Sequence, residues 1–350
     1  MALHILTRSR QSQVGCLSAL AGVRVRHDGH AAHVVLDRPG QYNALNHAMV
    51  STLLSLVVEL DEHPDVHVIV MSGAGDRGFS AGGDLVFLRN DALASGGRAM
   101  SYWRDLYELA HLISTCVTPI VSIMDGVTFG GGLGVAARAG VRVVTERSVL
   151  GMPETRIGFF PDTGGLHLLA GLPGEVGTYL GLCAQTVGPQ DAVEVGLADV
   201  LVASDDLPAL YDRLAVAPYP GAVAAFAQPA APGCGLPGTA WVHDCFAGDD
   251  PARIVCRLLA HPDAEARAAG NLLAQRSPTA VTAALLGLRA AAHLGLGDDL
   301  ELELRMADHL RRSHDFLEGI RARLVDKDRT PTWSPASFDG VDRATLAALL

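Results

Sequence analysis

From Ala32 to about Val202, short β-branched runs alternate with stretches whose apolar residues recur every three or four positions, the pattern of strands and helices layered around one core. His33–Asp37, Val66–Met71, Pro119–Met124 and Val141–Thr145 read as strands, each closed by a polar or glycine-rich turn. Leu45, Met49, Leu53, Leu56, Val57 and Leu60 follow helical spacing, and Pro64 blocks continuation beyond Glu62-His63. Between 216 and 238 the composition turns to Ala, Pro and Gly without a period, which predicts a linker. Helical patterns then return over Pro251–Leu259, Asp263–Gln275, Pro278–His293 and Asp298–Val325. The expected organisation is an N-terminal extension over 1–27 without fixed structure, an α/β core over 28–215, the linker, a helical C-terminal region over 239–335 and a tail over 336–350.

Composition narrows the function classes. None of the apolar runs approaches the ~18 to 20 residues that a membrane helix needs, although 49% of the 350 residues are hydrophobic. A net charge of -11 leaves no overall basic field for nucleic acid. Six cysteines without CxxC pairing or regular spacing argue against a disulfide framework or structural zinc and suit a reducing, cytoplasmic setting. Dispersed histidines without HExxH give no metal-ligand set, so no metal or redox cofactor is expected.

Three segments could carry chemistry. In Gly78-Phe79-Ser80-Ala81-Gly82-Gly83-Asp84, small residues let a ligand approach backbone N–H groups. Gly130-Gly131-Gly132 follows the apolar run Ile120–Met124 and opens a helical stretch, presenting free amides that suit an oxyanion. Gly132-Leu133-Gly134-Val135-Ala136-Ala137 also matches a relaxed dinucleotide fingerprint, but the next strand begins at Val141, too soon for a crossover helix. In the third segment, Gly151–Gly165, Glu154 and Asp162 sit among Met152, Ile157, Phe159 and Phe160, an apolar setting that would raise a carboxyl pKa and make it a useful base or acid.

The order Ala-Gly-Gly-Asp, Phe-Gly-Gly-Gly, Met-Pro-Glu-Thr and Phe-Pro-Asp-Thr-Gly-Gly resembles the crotonase (enoyl-CoA hydratase/isomerase) superfamily, specifically its 3-hydroxyisobutyryl-CoA hydrolase branch. Ser277-Pro278-Thr279, His314–Ala322 and Val325–Trp333 extend the likeness to about Pro335. The resemblance implies an α/β fold, a spiral of ββα units whose helical C-terminal region covers or completes an acyl-CoA site. It further implies that the Ala81 and Gly131 amides form an oxyanion hole, that Glu154 and Asp162 are catalytic, and that Gly82, Gly83, Asp84 and Gly130 line the substrate. Where hydratases of the family carry a second glutamate this chain has Gly134, which disfavours hydration. Leu106 before Tyr107 departs from the acidic residue that the branch can place there.

The expected reaction is hydrolysis of a short β-hydroxyacyl-CoA thioester, with enoyl-CoA hydration or isomerisation, or acyl-CoA binding without catalysis, as alternatives. CoA enters as part of the substrate rather than as a cofactor. Arg38, Arg77, Arg89 and Lys327 are candidate contacts to its phosphates. The partner is thus an acyl-CoA, with no nucleic acid, no membrane, and room for a homo-oligomer.

Overall fold

A computed structural model describes residues 18–229, 233 and 235–350. Strands β1 (Ser18–Leu20), β2 (Val23–Asp28) and β3 (Ala31–Leu36) form an antiparallel meander. Helix α1 (His47–Asp61) crosses to β4 (Val68–Gly73), parallel to β3. Next come β5 (Gly78–Ser80), α2 (Leu85–Leu93), α3 (Arg98–Thr115), β6 (Ile120–Met124) and β7 (Val127–Phe129). The short α4 (Gly131–Ala136) precedes β8 (Val141–Val144) and β9 (Val149–Gly151). Helices α5 (Gly165–Ala170) and α6 (Val176–Cys183), β10 (Thr186–Val187), α7 (Pro189–Glu194), β11 (Val200–Leu201), α8 (Leu207–Val216) and α9 (Tyr219–Ala224) complete the α/β part.

Seven strands order as β1-β2-β3-β4-β6-β8-β11, and a second, four-stranded sheet as β10-β9-β7-β5. Alternation along β4 sends Ile69 and Met71 into the main core with Met49 and Leu53, while Val68 and Val70 face a second core under Leu207, Leu210 and Leu214 of α8. Burial of both faces explains why this strand reads as a continuous apolar run. Asn46 caps α1, its side chain accepting from Met49 N at 2.9 Å.

The C-terminal region is helical: α10 (Ala240–Phe246), α11 (Pro251–Ala260), α12 (Ala264–Leu273), α13 (Pro278–Ala291), α14 (Leu296–Leu310), α15 (His314–Ile320) and α16 (Arg343–Ala347). The stretch expected as one helix from Asp298 to Val325 is broken after Leu310. Ser313 starts a new helix by accepting from Phe316 N at 3.2 Å, and a π-helical turn over Arg321–Val325 follows.

Three expected boundaries shift. Ser18–Leu20 and Val23–Asp28 are paired strands, so residues 18–27 belong to the sheet rather than to an extension; Ala21-Gly22, both at positive φ, turn one strand onto the other. Residues 1–17 of that extension lie outside the described residues. The linker over 216–238 contains α9, which buries Ala222 and Val223 in the second core. The tail is docked as well, with Leu346 of α16 3% exposed and Phe338 and Val341 packed on the main core. Among the described residues no helix is long and apolar enough to cross a membrane.

Candidate active site

The glycine-rich loop after β5 is held from behind by a buried asparagine. Asn43 donates to Ala74 O at 3.0 Å and Gly78 O at 2.9 Å, and accepts from Arg38 N at 3.0 Å. Ser80 Oγ donates to Asn43 O and receives Gly82 N at 3.1 Å. These bonds decide which amides remain free. Ala81 N donates to Tyr42 O at 2.9 Å, so the expected oxyanion donor at Ala81 is corrected: that hydrogen is already committed to the chain itself. Gly83 N and Gly131 N have no hydrogen-bond partner among the described residues, and a methyl built on Gly131 would stand 3.9 Å from Gly83 N. In that loop the free amide is therefore Gly83 N rather than Ala81 N, and it lies close to the free Gly131 N.

Both glycines line a cavity of about 290 Å³, together with Gly82, Gly130, Glu154 and Asp162. Gly130 adopts φ 53°, ψ -132°, a conformation closed to side chains, and an added Cβ would meet Glu154 Oε1 at 2.5 Å. Asp84 does not line the cavity. It caps α2, accepting from Phe87 N at 3.3 Å, and pairs with Arg38 at 3.4 Å, so its expected place among the substrate contacts is corrected to a structural one. None of the four phosphate candidates lines the cavity, and three have contacts elsewhere: Arg38 donates to Ala44 O, Arg77 lies over the Tyr42 ring and Arg89 donates to Leu317 O.

Glu154 begins a 3-10 turn after β9 and is 7% exposed, with Oε2 buried and unpartnered. Burial, reinforced by the charge of Asp162, holds its carboxyl well above the usual range. Asp162 is equally buried, but its Oδ2 accepts from Trp103 Nε1 at 3.0 Å and Tyr107 OH at 3.1 Å. Burial pushes its pKa up to about 6 while those two donors pull the other way. Two buried carboxyls facing one cavity thus titrate as a pair that retains a proton above the ordinary carboxylate range, Asp162 being the better stabilised as the anion.

Sequence reasoning missed four contributors. Trp103 and Tyr107 lie four residues apart on the buried face of α3, a spacing that presents two donors to one point. Tyr102 OH is buried without a partner and lies 2.8 Å from where a Gly83 Cβ would stand, so it aims at the cavity. Glu303 of α14 accepts from Gly164 N at 2.7 Å and Leu166 N at 3.0 Å, fixing the turn that follows Asp162. No local motif announces Glu303, because its partners lie more than 130 positions away. The C-terminal signatures position the site too: Asp315 accepts from Ser277 Oγ and Ser334 N, and Phe316 packs against Phe159 with ring centroids 5.0 Å apart.

The family model described as Enoyl-CoA hydratase/isomerase matches residues 31–350. The chain is 31% identical over 332 residues to the 3-hydroxyisobutyryl-CoA hydrolase, mitochondrial, of Gallus gallus, covering 92% of this chain and 86% of the relative. It is 34% identical over 340 residues to small ribosomal subunit protein mS47 of Neurospora crassa, covering 88% of this chain and 66% of that one. A solved structure described as a carnitinyl-CoA dehydratase from Mycobacterium thermoresistibile superposes with a TM-score of 0.90 at 37% identity, covering 94% of this chain and 96% of the other. These findings correct the expectation of a cytoplasmic protein, since the hydrolase relatives are named as mitochondrial. The family match over residues 31–350, the identity to relatives across most of the chain and the shared fold together establish that the chain belongs to the enoyl-CoA hydratase/isomerase, or crotonase, family.

Proposed function

We propose that the protein hydrolyses the thioester of a short β-hydroxyacyl-CoA, with 3-hydroxyisobutyryl-CoA as the intended substrate, releasing 3-hydroxyisobutyrate and CoA as a step of valine catabolism. The observation that carries this reading is the convergence of two unpartnered amides, Gly83 N and Gly131 N, with the Glu154–Asp162 pair on one cavity. The thioester oxygen accepts from both amides as negative charge builds on it; one such donor is worth about 2.7 to 4 kcal/mol in the transition state. Ionised Glu154 then either attacks the carbonyl carbon, expelling the CoA thiolate and leaving a mixed anhydride that water cleaves, or takes a proton from water as it attacks. Asp162, held by Trp103 and Tyr107, orients the reacting group or the acyl hydroxyl. Water is the co-substrate, and neither a metal nor a redox group enters the scheme.

The names of the hydrolase relatives support this reading, and that of the dehydratase neighbour supports hydration or its reverse as the second one. Exposing the purified protein to 3-hydroxyisobutyryl-CoA and to crotonyl-CoA with a thiol reagent separates the two. Release of free CoA supports hydrolysis. Loss of enoyl absorbance without thiol transfers the protein to the hydratases, and tight CoA binding with no turnover makes it a binding protein.

The acid limb of the kcat/KM profile is expected at or above about pH 6, the value to which burial moves Asp162, because the working form must lose a proton from a pair whose burial favours keeping it. Rates still maximal at pH 4.5 contradict this. Tyr102→Phe tests the acyl end. Removing a buried phenol that bonds the acyl hydroxyl should lower kcat/KM for 3-hydroxyisobutyryl-CoA about tenfold relative to isobutyryl-CoA, and an equal effect on both esters would exclude that contact.

A further inference from the structure

Two buried carboxyls stand against the turn that follows Asp162, and the hydrolytic scheme uses neither. Asp299 and Glu303 lie four residues apart on α14, hence on one face of that helix, and both are 0% exposed. Between them they take up the start of α5. Glu303 accepts from Gly164 N at 2.7 Å and Leu166 N at 3.0 Å, and Asp299 Oδ2 accepts from His167 N at 3.3 Å. Three of the four successive amides over 164–167 thus end on these two side chains. The fourth, Gly165 N, closes on Asp162 O at 2.9 Å.

Carboxyls side by side in an interior do not both ionise, because each charge opposes the other where water cannot screen them. Asp299 Oδ1 is buried and meets no donor among the described residues, yet the Glu303 carboxyl is in hydrogen-bonding contact with Asp299. Two carboxylates can only accept, so that contact requires a proton between them. Both oxygens of Glu303 already hold amide hydrogens, which makes Glu303 the seat of the charge and Asp299 Oδ1 the seat of the proton. Burial favours keeping that proton on the pair.

The charged surroundings are defined on each element packed against α14. Tyr107 of α3 and Asp162 itself feel the charge of Glu303. Arg138, beyond α4, supplies the opposite charge and donates to Gly164 O at 3.2 Å. His167 of α5 lies within reach of Arg138, and Arg289 of α13 is paired elsewhere, with Glu175 at 2.9 Å.

We propose that Asp299 and Glu303 are a positioning pair for the hydrolysis: sharing one proton, they fix the turn that delivers Asp162 to the cavity and place a single negative charge near it. That charge opposes ionisation of Asp162, while the Trp103 and Tyr107 donors favour it. The proposal rests on the hydrolase reading for the reaction it serves. The shared proton and the charge stand on the geometry of the pair.

The Trp103 indole, which donates to Asp162 Oδ2 at 3.0 Å, reports the state of that carboxyl without any turnover. Its N–H resonance, assigned among the three tryptophans by Trp103→Phe, is followed against pH by nitrogen-15 NMR. Glu154→Gln serves as the parent, so that Asp162 titrates without its coupled partner. Adding Glu303→Gln, which removes the charge, is expected to lower the midpoint by about half a pH unit or more. In the otherwise native protein the same change should lower kcat about tenfold with KM nearly unchanged. Asp299→Asn keeps an acceptor for His167 N and offers Glu303 an amide donor in place of the shared proton, so its midpoint and kcat should stay near those of the parent. Asp299→Ala has neither group and should lose kcat as Glu303→Gln does. An unmoved midpoint in folded Glu303→Gln overturns the proposal, and so does Asp299→Asn that is as damaging as Asp299→Ala. Should Glu303→Gln fail to fold, the two substitutions at residue 299 decide alone. The titration involves no thioester, so its outcome is separate from that of the hydrolase reading.

Discussion

Glu154→Gln is expected to lower kcat for thioester hydrolysis by about 10² to 10⁴-fold, the range for removing a positioned base, while leaving acyl-CoA binding in place and making the folded protein more stable at pH 8. The two effects share one cause. Glu154 is buried, its Oε2 has no partner, and its carboxyl is held well above the usual range by burial and by Asp162. An acid whose folded pKa is raised binds its proton more tightly in the native state. Its contribution to stability is therefore fully present below the unfolded pKa and is lost as pH rises through the folded one. Glutamine keeps the shape without the charge, so the variant should gain about 1 kcal/mol or more at pH 8 and little at pH 4. Urea denaturation at the two pH values, beside the thiol-release assay, checks both halves. Retained turnover sinks the catalytic assignment, and lost turnover with lowered stability would make Glu154 a structural residue. A single turnover in oxygen-18 water then separates the routes: label recovered in Glu154 marks the anhydride, and label confined to the product acid marks direct attack by water.

Installing a second acid, Gly134→Glu, is expected to cost about 3 kcal/mol or more of stability and to produce no hydration of crotonyl-CoA. A Cβ at residue 134 would stand 2.5 Å from Thr163 O and 2.7 Å from Thr163 Cβ. The obstacle is the turn that carries Asp162, and Thr163 sits there at φ 62° with Glu303 bonded to the next amide. Delivery of Asp162 to the cavity and a side chain at residue 134 therefore compete for one space. Thermal unfolding and loss of enoyl absorbance measure the outcome. A stable Gly134→Glu protein that hydrates crotonyl-CoA would show that the turn yields, and that hydrolysis is not enforced by packing.

Much of this was legible along the chain because it is local. Strands β3, β4, β6 and β8 are rich in β-branched and other apolar residues, and α1 carries its own cap and stop. Strands β5, β7 and β9 escaped notice because each has three residues and exists by pairing with the others rather than by its own pattern. The acids Glu154 and Asp162 and the amide of Gly131 were found from motif order, and all three face the cavity. The motif points to the Ala81 amide whereas the free one is at Gly83, two positions away, because composition shows that a loop has free amides without showing which. That depends on Tyr42 O and Ser80 Oγ, whose reach is set by Asn43 from outside the motif. Glu303 is invisible along the chain for the same reason, being brought to the turn after Asp162 only by the fold.

The Glu303 clamp has a consequence for the order in which this protein becomes competent during synthesis. A chain that has emerged only as far as α13 already contains both acids and both amides, yet the nitrogens of Gly164 and Leu166 lack their acceptors and the ring of Phe316 is absent from beside Phe159. Nascent fragments of that length should bear both acids and both amides and remain inert, so residues 292–350 act as the ignition of the enzyme rather than as an appendage to it.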